Sequence, residues 1–149
     1  MTSKLQVPIM SLVIVLSLIS LCLGESEMQC QGHDMKYNST QMEQTKECLG
    51  YHGTTSIWKL KSTDFPCFGM CMLKSRDFLG DDGEHVVLQR VMEYIDMIAP
   101  EKAKAGLKDM LTNCVKLHGD KVRSKDDPKS CMTFMEVGHC FRDAFVEIC

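Results

Sequence analysis

Cys67 and Cys71 stand four residues apart in Cys67-Phe-Gly-Met-Cys71, and Cys30, Cys48, Cys114, Cys131, Cys140 and Cys149 surround them. Cysteines at this density ligate a metal, supply a thiolate nucleophile, or form disulfides. A zinc set drawn from Cys67, Cys71, His118 and His139 lacks both the Cys-x2-Cys and the His-Glu-x2-His spacing, so no metal is expected. The adjacent His139 and Cys140 would make a nucleophilic pair only with a free thiol. There is no Gly-x-Ser-x-Gly elbow, no phosphate-cradling glycine loop and no calcium-loop pattern like that of small helical lipases. The sequence therefore predicts neither an enzyme nor a cofactor, and disulfide formation remains.

Whether thiols oxidise depends on compartment. Lys4 precedes an apolar run from Ile9 to Leu23, broken only by Ser11, Ser17 and Ser20, and Cys22-Leu23-Gly24 offers small residues near a cleavage site. The run falls short of the roughly 20 residues that span a bilayer. It reads as a secretory signal peptide over residues 1–24, leaving a single domain over 25–149. Cys22 leaves with the signal, so an even set of eight cysteines enters an oxidising environment. Loss of Lys4 moves the net charge from −3 to −4, and no basic cluster suits nucleic acid. No second long apolar run predicts a membrane span after cleavage. Asn38-Ser39-Thr40 is a glycosylation acceptor at Asn38.

The elements that must position the cysteines are helical. Leu107, Met110, Leu111, Cys114, Val115 and His118 follow the i, i+3, i+4, i+7 rule from Pro100 to a stop at Gly119. Val87, Val91, Tyr94, Ile95 and Ile98 share one face of a helix between Asp82 and Met97, with Asp82 as a cap and Gly80-Asp81-Asp82-Gly83 as the turn before it. Phe134, Val137, Gly138, Phe141, Phe145 and Ile148 line a last helix from Pro128 to Ile148. Ser62-Thr63-Asp64 before Phe65-Pro66 opens a helix reaching about Leu79. Residues 34–49 form another, and Thr54 to Leu60 a short one. Strand alternation is missing. The predicted fold class is all-α, a compact bundle of about six helices.

On a helix, Cys67 and Cys71 lie on one face, one turn apart, a geometry that suits bonds to two different neighbours better than a bond to each other. Cys131 and Cys140, nine positions apart on one helix, are turned by about 900° and point to opposite sides. With these spacings, and with 42 residues between Cys71 and Cys114 and eight between Cys131 and Cys140, the sequence resembles the insect odorant-binding proteins, which include the pheromone-binding proteins, over residues 34–145. Lys74 to Ile95 adds a helix end, turn and apolar helix like the family's third and fourth helices. The resemblance implies the pairs Cys48–Cys71, Cys67–Cys131 and Cys114–Cys140, with Cys48 rather than Cys30 as the family's first cysteine. The gap of 18 residues between Cys48 and Cys67 is shorter than the family's habit, and the gap of 16 between Cys114 and Cys131 is slightly long. Cys30 and Cys149 are additional. Because chain termini often lie close together they are expected to pair, with an intermolecular bridge as the rival.

The resemblance further implies helices around an apolar cavity, and hence a secreted carrier of odorants, pheromones or lipid-like molecules. Disulfides offset the cost of such a cavity by restricting the unfolded chain. The candidate wall is Phe68, Leu73, Leu88, Met92, Ile95, Met110, Leu111, Phe134, Phe141 and Phe145, with Trp58 and Tyr94 as polar handles. Ten of twelve methionines lie outside the signal, and Met70, Met72 and Met135 join Met92 and Met110 on or beside apolar faces, which favours a malleable interior. Each of these side chains is also an ordinary core filler. His33, His52, His85, His118 and His139 could charge between pH 5 and 8, although solvated surface histidines are the plainer reading. A C-terminal plug is not expected if Cys149 is tied. The expected partners are a small hydrophobic ligand and a chemosensory or other cell-surface receptor, with the chain a monomer or weak dimer. The alternative is a secreted helical interaction factor with a filled core.

Overall fold

The computed structural model describes residues 29–124 and 128–149, so the signal segment predicted over residues 1–24 lies outside the described residues. Five α-helices carry the fold: α1 Ser39–Gly50, α2 Phe65–Ser75, α3 Leu88–Ile98, α4 Glu101–His118 and α5 Met135–Ile148. Three 3-10 segments, Ile57–Lys59, Gly119–Lys121 and Pro128–Phe134, connect them. A two-stranded antiparallel hairpin, β1 Gln29–Cys30 and β2 His33–Asp34, precedes α1. The helix α4 packs on α5 and α3, α2 packs on α1, and α2 also meets the 3-10 segment Pro128–Phe134. Leu107, Leu111, Ile95, Ile98, Val122 and Val137 are the most deeply buried aliphatic side chains. Among the described residues, no helix is long and apolar enough to cross a membrane.

The all-α class holds, but several boundaries move, each for a backbone reason. The helix predicted from residue 34 starts at Ser39. Gln31 and Gly32 both take positive φ, 53° and 76°, and turn the hairpin in the manner of a primed turn. The cap is then Asn38: its Oδ1 accepts from the Gln41 amide at 2.8 Å, and Gln41 Oε1 accepts from the Asn38 amide at 2.9 Å. The helix predicted to reach Leu79 stops at Ser75. Asp77 adopts φ 58°, and the Phe78 amide donates back to the Leu73 carbonyl at 2.9 Å, which turns Phe78 and Leu79 into the core. Pro66 and Pro100 sit at helix starts, as their missing amides allow.

The helix predicted from Asp82 starts at Leu88 instead. Asp82 Oδ1 accepts from the Glu84 amide at 2.9 Å within the turn, and does not cap a helix. The next amides are engaged elsewhere, His85 to the Val122 carbonyl at 3.1 Å, Val86 to Gly119 at 3.1 Å and Val87 to Phe78 at 2.8 Å. This loop is thereby stitched to the end of α4. The last predicted helix is split, because residues Pro128–Phe134 are 3-10. Thr133 there bridges the Arg123 amide at 3.0 Å and the Ser130 carbonyl at 2.6 Å. A continuous α-helical turn therefore does not relate Cys131 to Cys140.

Because Asn38 is the cap and also the predicted glycan acceptor, two substitutions separate these roles. Asn38→Ala is expected to destabilise the fold by about 1 kcal/mol, whereas Asn38→Asp keeps the cap and loses only the acceptor. Denaturant unfolding of both variants in unglycosylated protein checks this; equal losses for the two would contradict it.

Candidate functional site

Four disulfides cross-link the helices. Cys48–Cys71 joins α1 to α2, Cys67–Cys131 joins α2 to the 3-10 segment, Cys114–Cys140 joins α4 to α5, and Cys30–Cys149 ties the hairpin to the end of α5. Their Cα separations run from 4.3 to 5.7 Å. Cys67 and Cys71 thus hold α2 to two different elements, and Cys149 is held to Cys30.

Nine of the ten candidate wall residues meet in one core. Leu73, Ile95, Leu111 and Phe134 are buried there, and Leu88, Met92, Met110, Phe141 and Phe145 pack against it partly buried. Phe68 lies apart, in a smaller cluster with Cys48 and Leu49 between α1 and α2. Met70 is buried in the main core, while Met72 flanks the smaller one. Trp58, proposed as a polar handle, is 90% exposed on the 3-10 turn and does not face the interior. Tyr94 does: its ring meets Phe78 edge-on at 5.1 Å.

Phe134 is gripped by two glycines. A Cβ at Gly69 on α2 would lie 2.0 Å from the ring, and one at Gly138 on α5 would lie 2.2 Å from it. Phe65 flanks the ring at 5.9 Å. The glycines let α2 and α5 close on an aromatic edge beside Cys131.

Two of the surface openings bear on the site. One, about 310 Å³, has a mixed polar and apolar lining that includes Lys74, Asp77, Leu79, Asp81 and Ser124. The other, about 170 Å³, is apolar and lies at the terminal disulfide, lined by Cys30, Met35, Phe145, Val146, Gln29 and Cys149. Met35 is buried in the main core and Phe145 packs against it, so this cleft meets the interior.

A polar cluster borders the same core between α1, α2 and α3. Arg76 donates from Nη2 to the Gln41 carbonyl at 2.7 Å and to Thr45 Oγ1 at 2.9 Å, and from Nη1 to Gln44. Its guanidinium lies 5.7 Å from the centre of the Tyr94 ring. Tyr37 is pushed up to about 12, chiefly by burial and then by Tyr94, with Arg76 opposing. Burial raises Tyr94 as well, again against Arg76. Met35, Tyr37, Arg76 and Phe78 do not figure in the predicted wall. Residues 35 and 37 fall in a stretch read as helix, and a lone arginine carries no sequence signal of burial.

A raised tyrosine pKa means the folded state keeps its proton longer. Its stabilising contribution is complete below pH 10 and is lost as pH climbs toward about 12. Tyr37→Phe is expected to flatten much of the fall in unfolding free energy across that window, measured by denaturant titration at successive alkaline pH values. An unchanged fall would show that Tyr37 ionises freely.

The five histidines lie at or near the surface. His118 Nδ1 is 3.3 Å from Glu136, whose carboxyl is held below its ordinary range by Lys121 first and His118 second. His52 lies 3.9 Å from Asp64 and His85 3.7 Å from Asp82, while His33 and His139 are exposed. Among the described residues, no group of His, Cys, Asp or Glu could hold a metal ion.

A family model described as the PBP/GOBP family matches residues 23–144. No curated protein and no solved structure gives a significant match.

Proposed function

Because the chain belongs to the PBP/GOBP family, the odorant- and pheromone-binding proteins of insects, we propose that it is a secreted carrier that solubilises one small apolar ligand in an extracellular fluid. The observation that carries this reading is the apolar cleft at the terminal disulfide. Met35 and Phe145 line it and also contact the main core, where nine of the ten candidate wall residues gather.

At about 170 Å³ the cleft is smaller than the roughly 300–1,000 Å³ of a typical ligand site. A ligand would enlarge it by displacing Met35 and Phe145, while the disulfides hold the helices. Methionine suits this because its unbranched thioether repacks at little cost. The signal segment, the oxidised cysteines and the exposed Asn38 acceptor support export. Family members are binding proteins, and the chain's role is that of a carrier without catalysis.

Displacement of a fluorescent apolar probe tests the reading. The oxidised protein should bind the probe saturably and release it to long-chain alcohols or fatty acids. Absence of saturable binding by folded protein would favour the interaction-factor alternative.

A further inference from the structure

The chain has four arginines, Arg76, Arg90, Arg123 and Arg142. Three are paired with carboxylates: Arg90 with Asp77 and Asp81, Arg123 with Glu84, and Arg142 with Asp143. Arg76 has none among the described residues. The neighbouring Asp77 is turned to Arg90 at 3.2 Å, and Glu47 on α1 accepts from the Tyr51 hydroxyl at 2.9 Å. Arg76 instead spends its Nη donors on neutral acceptors, Gln44, the Gln41 carbonyl and Thr45. Its Nε is the one buried side-chain nitrogen or oxygen without a hydrogen-bond partner among the described residues.

A cation taken partly out of water is normally paired, and a buried donor left unsatisfied calls for an explanation. We propose that Arg76 is the anchor for the carboxylate of an apolar-tailed ligand, with Nε as the open donor and Tyr37 and Tyr94 flanking the headgroup. The proposal rests on the carrier reading and adds the ligand's chemical class.

Three features support it. A charge-assisted hydrogen bond from the guanidinium Nε to a carboxylate is shorter and stronger than a neutral one. Tyrosine hydroxyls are protonated near neutral pH, so the flanking pair act as donors and do not repel an anion. Tyr94 packs on Phe78, which is buried in the main core, so the headgroup position borders apolar side chains that a tail would have to displace. The segment carrying Tyr37 is fixed against the end of α3 by the Lys36 amide, which donates to the Ile98 carbonyl at 2.8 Å.

The test compares a long-chain fatty acid with the alcohol of equal length, by probe displacement from the parent and from Arg76→Gln. The acid should bind the variant about tenfold more weakly or worse, and the alcohol should change by less than about twofold. An acid labelled with carbon-13 at the carboxyl should stay ionised to lower pH on the parent than on the variant, a signature that a purely structural arginine would not give. Should Arg76→Gln fail to fold, Arg76→Lys and Tyr94→Phe decide the matter, each weakening the acid selectively. Equal acid binding by parent and folded variant, or parallel loss of acid and alcohol, overturns the proposal and leaves the carrier reading intact. If neither ligand binds the parent, both fall.

Discussion

Cys67→Ala/Cys131→Ala is expected to lower the unfolding free energy by about 4 kcal/mol, the chain-entropy value for the bridge's sequence separation of 64 residues. The same relation gives about 3 kcal/mol for Cys48–Cys71 and Cys114–Cys140, whose separations are 23 and 26. Against a typical total of about 5–15 kcal/mol, loss of Cys67–Cys131, the longest of the three interhelical bridges, removes a large share of stability. The structure adds a local reason for the same ranking. Cys131 sits in the 3-10 segment that carries Phe134, so the bond also fixes the ring between Gly69 and Gly138. Denaturant midpoints of the three double variants, with their slopes, check the order. A loss below about 1 kcal/mol for Cys67–Cys131 would show that packing and Cys48–Cys71 suffice to hold α2 in place.

Gly138→Ala is the second large effect, and two principles give it opposite signs. In a helix interior, alanine is favoured over glycine by about 1 kcal/mol. Here, however, the added methyl would lie 2.2 Å from the Phe134 ring, far inside contact distance. The ring cannot retreat toward α2, since Gly69 leaves it no more room there than Gly138 does. Overpacking of this kind costs about 1–3 kcal/mol, and at such a separation the upper end applies, so the steric term outweighs propensity. Thermal unfolding should show a clear fall in midpoint. Phe134→Leu should relieve much of the clash, so the double variant should lose less than the two single losses added together. A stabilised Gly138→Ala protein would mean that α5 stands farther from the ring.

The helical class was legible because it rests on local rules, and the cysteine framework because its spacing resembles a known family. The i, i+3, i+4 pattern marked α4 to within a residue or so, with Pro100 before it and Gly119 after it. The cross-links Cys48–Cys71, Cys67–Cys131 and Cys114–Cys140 are the pairs implied by resemblance, and the terminal pair is the one suggested by proximity of the ends. What sequence did not reveal depends on partners distant in the chain. Asp82 looked like a cap, yet the amides after it bond to Val122 and Gly119. The left-handed Asp77 ends α2 without a glycine to announce it. Trp58 looked like an amphipathic handle because its composition is amphipathic, but the turn that carries it faces water. Arg76 reads as one surface charge among many until Gln41, Gln44 and Thr45 are seen around it.

Native mass spectrometry of the protein recovered from an oxidising secretory host tests the central claim most directly. The carrier account predicts a species with all eight cysteines of residues 25–149 oxidised that holds one small apolar molecule. Organic extraction should remove that molecule, and a fluorescent apolar probe should then take its place. A bare polypeptide that keeps the same disulfides and takes up no probe at any concentration would contradict it.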